Sequence, residues 1–281
     1  MKPVGFWRGV AVEPRRAALL RFLPIFPLLI HSAPGLADVQ VEAGLVLGHF
    51  DYEERSSSGA TLNQESGILP GVQVALAFHS SDSGWVKVSG ARFSDDVRYR
   101  GMTQSGRELT TRTDTEQTLF EVTLGAPEVS SHDYRFTPMV RAGLRKWQRD
   151  ILPTRNTLRL NEAYRWRELG LGGSVCRSVA LGWMDSWCLE GWGLYTLEGS
   201  VKVDLTEIDA GSPSIRLGSK PGASVQATAL MGPVEFKVFG HFWQFGKSDT
   251  KTVYRAGGGR LRVEEPASQS WLTGFAVGLK F

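Results

Sequence analysis

Apolar residues recur at every second position through much of the chain. Val72, Val74, Leu76 and Phe78 alternate with Gln73, Ala75, Ala77 and His79. Phe120, Val122 and Leu124 alternate with Glu121 and Thr123, and Val234, Phe236 and Val238 with Glu235 and Lys237. Near the end, Trp271, Thr273, Phe275, Val277, Leu279 and Phe281 alternate with Ser270, Leu272, Gly274, Ala276, Gly278 and Lys280. A period of two gives a strand one apolar face and one small or polar face. Beyond residue 37 no segment carries the period of an amphipathic helix. The pattern predicts ten strands, near 39–53, 67–79, 85–100, 111–125, 134–150, 161–175, 183–204, 214–231, 234–246 and 269–281.

The predicted connections alternate in length. Those at 80–84, 126–133, 176–182 and 232–233 are short, while 54–66, 101–110, 151–160, 205–213 and 247–268 are longer and polar. A soluble sandwich has no reason for such alternation. A membrane barrel has one, because its periplasmic turns are short and its extracellular loops long. In hydrocarbon every backbone polar group must be bonded internally, so only helices or closed barrels span. The predicted fold is therefore all-β: a closed antiparallel transmembrane β-barrel of about ten strands. Eight or twelve stay open, since 54–66 and 247–268 are long enough to hide strands.

The apolar stripe then faces lipid, and the other parity faces the bore. That parity carries Gly44, Gly48, Gly71, Gly143, Gly274 and Gly278, where a narrow barrel has little room. It also carries Glu42, Lys87, Glu121, Arg141, Arg145, Glu168, Glu190, Glu198, Lys202, Glu235, Lys237, His241 and Lys280. Their signs are mixed, and buried charges must be paired, so they read as a neutralising network. Trp183, Trp187 and Trp271 fit aromatic belts. Trp85, Trp147 and Trp243 fall on the inward parity: either bulges reset the alternation or these rings fill the bore.

Charge and leader refine this picture. The chain of 281 residues has a formal net charge of +3. Residues 1–37 hold Lys2, Arg8, Arg15, Arg16 and Arg21 against Glu13 alone, so the remainder sits near −1. A nucleic-acid partner thereby loses its compositional support. The same segment has a basic start, a short apolar run at 19–30 and small residues at 35–37, the pattern of a cleaved secretory signal peptide. This divides the chain into a signal peptide, 1–37, and a barrel, 38–281. Cys176 and Cys188 then mature where disulfides persist. They flank the turn after the sixth strand on one parity, which suits either a cross-strand disulfide or two buried thiols. No metal or cofactor site is expected.

The chain ends Gly-Phe-Ala-Val-Gly-Leu-Lys-Phe. This ending resembles the C-terminal signature of bacterial outer-membrane β-barrels. The resemblance implies residence in the outer membrane, with Phe281 part of a signal read by the barrel assembly machinery. Outer-membrane lipids and lipopolysaccharide are the expected surroundings. Arg145, Arg149, Arg165 and Arg167, near the outer ends of the fifth and sixth strands, are candidates for lipopolysaccharide phosphates, since Arg makes bidentate phosphate contacts.

Strand count and loop plan resemble the omptins, ten-stranded outer-membrane proteases. That likeness implies an acidic pair and an Asp–His pair at the extracellular rim. Asp95 and Asp96 stand where the acidic pair would, but adjacent strand residues face opposite sides. Asp204, Glu207 and Asp209 lie in the matching later region with no histidine beside them. His49 and His241 are the histidines expected near the outer half; His79 and His132 fall at the periplasmic end. Trp183-Met184-Asp185-Ser186 is similar to an omptin tetrapeptide but falls in a periplasmic turn. Lipid A-modifying hydrolases need a nucleophile with its base; Ser81, Ser83 and His79 cluster at that same end. The leading expectation is a non-enzymatic barrel with a structural or surface-recognition role carried by its extracellular loops. An omptin-like protease or lipid A-modifying hydrolase is one alternative, and a narrow solute channel the other.

Overall fold

The computed structural model describes residues 38–80, 84–103 and 106–281; the leader and Ser81 and Ser83 lie outside them. The described strands are β1 (Asp38–Arg55), β2 (Thr61–Ser80), β3 (Gly84–Met102), β4 (Glu108–Gly125), β5 (Val129–Ser131), β6 (Tyr134–Ile151) and β7 (Leu160–Leu181). They continue as β8 (Met184–Asp204), β9 (Ser214–Ser219), β10 (Pro221–Met231), β11 (Val234–Gly246), β12 (Lys251–Tyr254), β13 (Arg260–Val263) and β14 (Ala267–Lys280). Neighbours in sequence pair antiparallel from β1 round to β8. β8 pairs with β10, β10 with β11, β11 with β14, and β14 with β1, which closes the ring.

β9 and β10 are two parts of one wall strand interrupted at Lys220, so the wall has ten strands. β5 is a short addition to β6, and β12–β13 form a separate hairpin. That hairpin lies inside the predicted 247–268 loop, whose short alternation and triple glycine hid it. Gly258 and Gly259 make its turn with φ of +89° and +92°, a region glycine enters freely.

The wall strands run longer than expected. β1 and β2 continue to Arg55 and Thr61, so the predicted 54–66 loop is mostly ladder. The alternation does set the faces. Leu45, Val74, Phe120, Val140, Leu171, Val225, Val238 and Phe275 are all exposed, on eight different strands. Apolar surface on that scale is costly in water and suited to hydrocarbon. Above it, toward the long-loop end, the outward positions turn polar: His49 and Asp51 on β1, Lys146 and Gln148 on β6, Arg165 and Arg167 on β7. At the upper edge Trp271 packs on Phe242, with ring centroids 4.1 Å apart.

One bulge corrects the predicted parity. Arg167 pairs with Glu198 but Glu168 pairs with Thr196, so Leu197 is an extra residue in β8. An inserted residue reverses all that follows it. Glu198 and Lys202, expected inside, therefore face outward. Glu198 meets Arg167 at 3.3 Å on the outer surface. The other expected inward charges do face the bore.

At the short-turn end Cys176 and Cys188 stand opposite each other on β7 and β8 and are joined by a disulfide, Cα to Cα 4.0 Å. Phe281 extends the ladder: its N–H donates to the Val41 carbonyl at 2.9 Å, and Val41 N–H donates back to its carbonyl at 3.0 Å. The seam between β1 and β14 is close. A Cβ on Gly274 would stand 2.2 Å from the Leu47 carbonyl oxygen, and backbone cannot yield as a side chain can. Replacing Gly274 with Val is expected to destabilise the closed barrel by about 1–3 kcal/mol, the usual penalty of overpacking. The midpoint of urea-induced loss of the compact, fast-migrating gel band would measure it.

Candidate functional site

The bore divides into two halves with different chemistry. Toward the short-turn end it holds a cavity of about 330 Å³, lined by Glu42, Lys87, Glu121, Arg141, Glu190, Lys237 and neighbours on every wall. Several of its charges are paired, most of them across strands that are distant in sequence. Lys87 Nζ reaches Glu42 at 2.8 Å, and Lys237 Nζ reaches Glu42 at 3.1 Å and Glu235 at 2.5 Å. Arg141 meets Glu121 at 3.0 Å. Arg145 pairs with both Glu121 and Glu168, the latter at 2.6 Å. This half is the neutralising network that inward parity predicted.

The outer half is filled by rings. Phe50, Leu69, Phe93, Trp147, Tyr164, Trp166, Trp243, Phe245 and Leu272 pack into one buried cluster. Trp147 stacks on Tyr164 at 4.6 Å and meets Tyr52 edge-on at 4.8 Å. Trp166 meets Trp243 edge-on at 5.9 Å. Of the two readings left open for inward tryptophans, the structure takes the second: Trp147 and Trp243 fill the bore, and Trp85 lines the lower cavity.

Set into this plug is Arg149, 2% exposed. Its guanidinium donates to Glu65 at 2.6 Å, Glu162 at 2.6 Å and Glu54 at 3.1 Å. Tyr52 and Tyr164 hydroxyls donate to a fourth carboxyl, Glu265, at 3.0 and 2.6 Å. One guanidinium thus faces four carboxyls from β1, β2, β7 and the loop before β14. Burial, and then the charges of Glu54 and Glu162, hold the Glu265 carboxyl well above the usual carboxylate range.

The predicted catalytic candidates do not meet. His241 is inside the bore, stacked on Trp243 at 5.3 Å, far below the mouth that an omptin-like site would use. Asp95 and Asp96 are solvent-exposed or half-exposed; Asp95 accepts the Asp96 backbone N–H at 2.7 Å, and Asp96 pairs with Arg112 at 3.1 Å. His49 stands in the outer half of the barrel and is directed outward. Its Nδ1 lies 2.8 Å from Asp51, and Ser66 on β2 approaches its Nε2 at 3.5 Å. His49 and Asp51 are two apart on one strand, visible in the sequence. Ser66 is brought beside them by the β1–β2 register, which pairs it with Asp51 and which no local pattern reveals.

The four candidate lipopolysaccharide arginines split. Arg145 and Arg149 point into the bore and are consumed by glutamates, whereas Arg165 and Arg167 face outward, because odd positions of β6 and odd positions of β7 lie on opposite faces. Lys146, which the sequence also places in that cluster, faces outward beside Arg165, and the structure adds further companions. Arg92, Thr118, Lys146, Arg165, Ser200 and Arg216 pair in succession across β3, β4, β6, β7, β8 and β9, forming one outward row just above the apolar band.

No protein-family model and no curated protein matches this chain. Solved structures do resemble it. The outer membrane protease OmpT from Escherichia coli superposes with a TM-score of 0.54 at 12% identity, over 86% of this chain and 97% of that one. The β domain of the Bordetella autotransporter BrkA gives a TM-score of 0.37 at 12% identity, over 83% and 98%. The TodX monoaromatic hydrocarbon channel, as its ΔS2S3 mutant, gives 0.38 at 8% identity, over 87% and 90%.

Two measurements check the plug. Arg149→Met leaves buried carboxyls uncompensated and is expected to destabilise the barrel by about 3–5 kcal/mol in the same urea assay. Glu265 holds its proton more tightly folded than unfolded. Its stabilising contribution is therefore present at acid pH and lost as pH rises through the folded value, above the usual carboxylate range. Glu265→Gln is expected to flatten the fall in stability on going alkaline. With the closed, ten-stranded, antiparallel wall and its outward apolar band, the likeness to OmpT establishes that this chain has the omptin-like outer-membrane β-barrel fold.

Proposed function

We propose that this chain is an integral protein of a Gram-negative outer membrane whose bore is closed and whose work is done at its cell-surface side. The observation that carries this reading is the plug: aromatic rings and the Arg149 cluster occupy the outer half of the bore, so the cavity below ends blind. The short-turn end then faces the periplasm, consistent with export through the leader and with assembly guided by the last strand and Phe281.

What projects outward is suited to recognition. The hairpin β12–β13 is docked, not free: Ala256 N–H donates to the Asp209 carbonyl at 2.8 Å. Its register places Tyr254, Arg260 and Arg262 on one face. Below it, the outward row of Arg92, Lys146, Arg165 and Arg216 lies where lipopolysaccharide phosphates would stand, and clustered cations suit phosphate. The barrel is an anchor presenting these groups.

Two results are expected. The refolded barrel in planar bilayers should give no single-channel steps; regular steps would overturn the closed-bore reading in favour of a channel. Lys146→Glu combined with Arg165→Glu should weaken lipopolysaccharide binding about tenfold, measured by calorimetry in detergent. The barrel's gel mobility should be unchanged, since both side chains are exposed.

A further inference from the structure

We infer that the lipid-facing wall carries a serine hydrolase site, with Ser66 as nucleophile, His49 as base and Asp51 as the residue that positions it, acting on ester-linked acyl chains of outer-leaflet lipids. The three roles follow from which atom meets which. Asp51 stands 2.8 Å from His49 Nδ1 and so favours the tautomer with the proton there. That leaves Nε2 free as an acceptor, and it is Nε2 that Ser66 Oγ approaches, at 3.5 Å. Such contacts are often long before substrate binds. Adjacent nucleophile, base and orienting carboxylate is the arrangement that activates a hydroxyl.

The location selects the substrate. All three side chains are on the outward parity of β1 and β2. Toward the short-turn end the same faces carry Leu45, Ile68 and Val72, all exposed and apolar. Toward the other end a surface depression of about 340 Å³ is lined by Glu53, Gln64, Gln269 and Trp271 together with Asp51 and Ser66. The site therefore lies at the step between hydrocarbon and headgroup, the depth of an acyl ester. Arg98 is directly paired with Ser66 across β2–β3, on the same face, where a phosphate or a developing oxyanion would find it. Pairing between β2 and β3 also lapses between Ser66–Arg98 and Gly71–Phe93. The wall beside Ser66 is therefore locally irregular on its β3 side.

The chemistry balances with water as the only co-reactant. Ser66 Oγ attacks the ester carbonyl carbon while its proton passes to His49 Nε2. The C–O bond to the lipid alcohol breaks, and that alcohol leaves with the proton. Water, deprotonated by His49, then attacks the acyl-serine and releases a fatty acid. A glycerophospholipid and a lipid A both offer this ester beside phosphate.

The inference rests on the placement of the apolar band in the membrane, not on the closed bore. The test uses the whole barrel folded into two preparations, phosphatidylethanolamine vesicles and lipopolysaccharide aggregates, with folding followed by gel mobility. Fatty-acid release and covalent labelling by a fluorophosphonate are measured in each. Release from either lipid, with labelling, is the expected result, and the lipid that responds identifies the source. Ser66→Ala should abolish release and labelling; Asp51→Asn should lower kcat/KM and the labelling rate by about 10²-fold or more, with the folded band unchanged. A folded wild-type barrel that releases nothing from either lipid and takes no label overturns the inference, as does release that persists in Ser66→Ala. A chain that fails to enter both preparations would instead refute the membrane placement.

Discussion

Backbone hydrogen bonding without water is the constraint on which the rest of this molecule depends. A strand in hydrocarbon can satisfy its N–H and C=O groups only through neighbours, so the sheet must close on itself. Closure by β14 on β1 makes two surfaces of opposite demand. Outside, apolar side chains meet lipid without penalty. Inside, ten strands enclose a space so narrow that side chains fill it, and each charge admitted there needs a partner at contact distance. Pairs such as Lys87–Glu42 and Arg145–Glu168 are the result.

The two halves of the bore answer that demand differently. Near the short-turn end ion pairs leave room for a solvent cavity. Nearer the mouth, rings pack together, and a single guanidinium is shared among several carboxyls. There Val97, Val201 and Val203 are buried in the aromatic plug. Other polar groups stand on the outer wall and loops. There the His49 cluster, the cationic row and the docked hairpin all lie at or above the lipid boundary.

Much of the wall was legible in residue alternation, because burial in a barrel follows strand parity and parity is local. The charges assigned to the bore were right up to Leu197, where a bulge that leaves no compositional trace reversed Glu198 and Lys202. The plug was harder to foresee. Trp147 and Trp243 stood on the inward parity, but an isolated ring on a strand does not announce whether its neighbours across the bore are rings too. Contacts such as Tyr52 and Tyr164 to Glu265 join residues more than 100 apart. The candidate site shows the same division. His49 and Asp51 share a face by spacing alone, whereas Ser66 joins them only once β1 and β2 are aligned.

The disulfide has a consequence for how the wall is specified. It closes a small hairpin, 12 residues from cysteine to cysteine, so the chain entropy it removes is modest. Its larger effect is geometric. β7 and β8 contain six glycines in five of their residue pairs, and glycine-rich strands hold their alignment weakly. A slip of one residue would turn Arg165 inward and Glu168 to the lipid. The covalent bond between Cys176 and Cys188 forbids that slip within this glycine-rich pair, and acts as an alignment pin for the wall on either side.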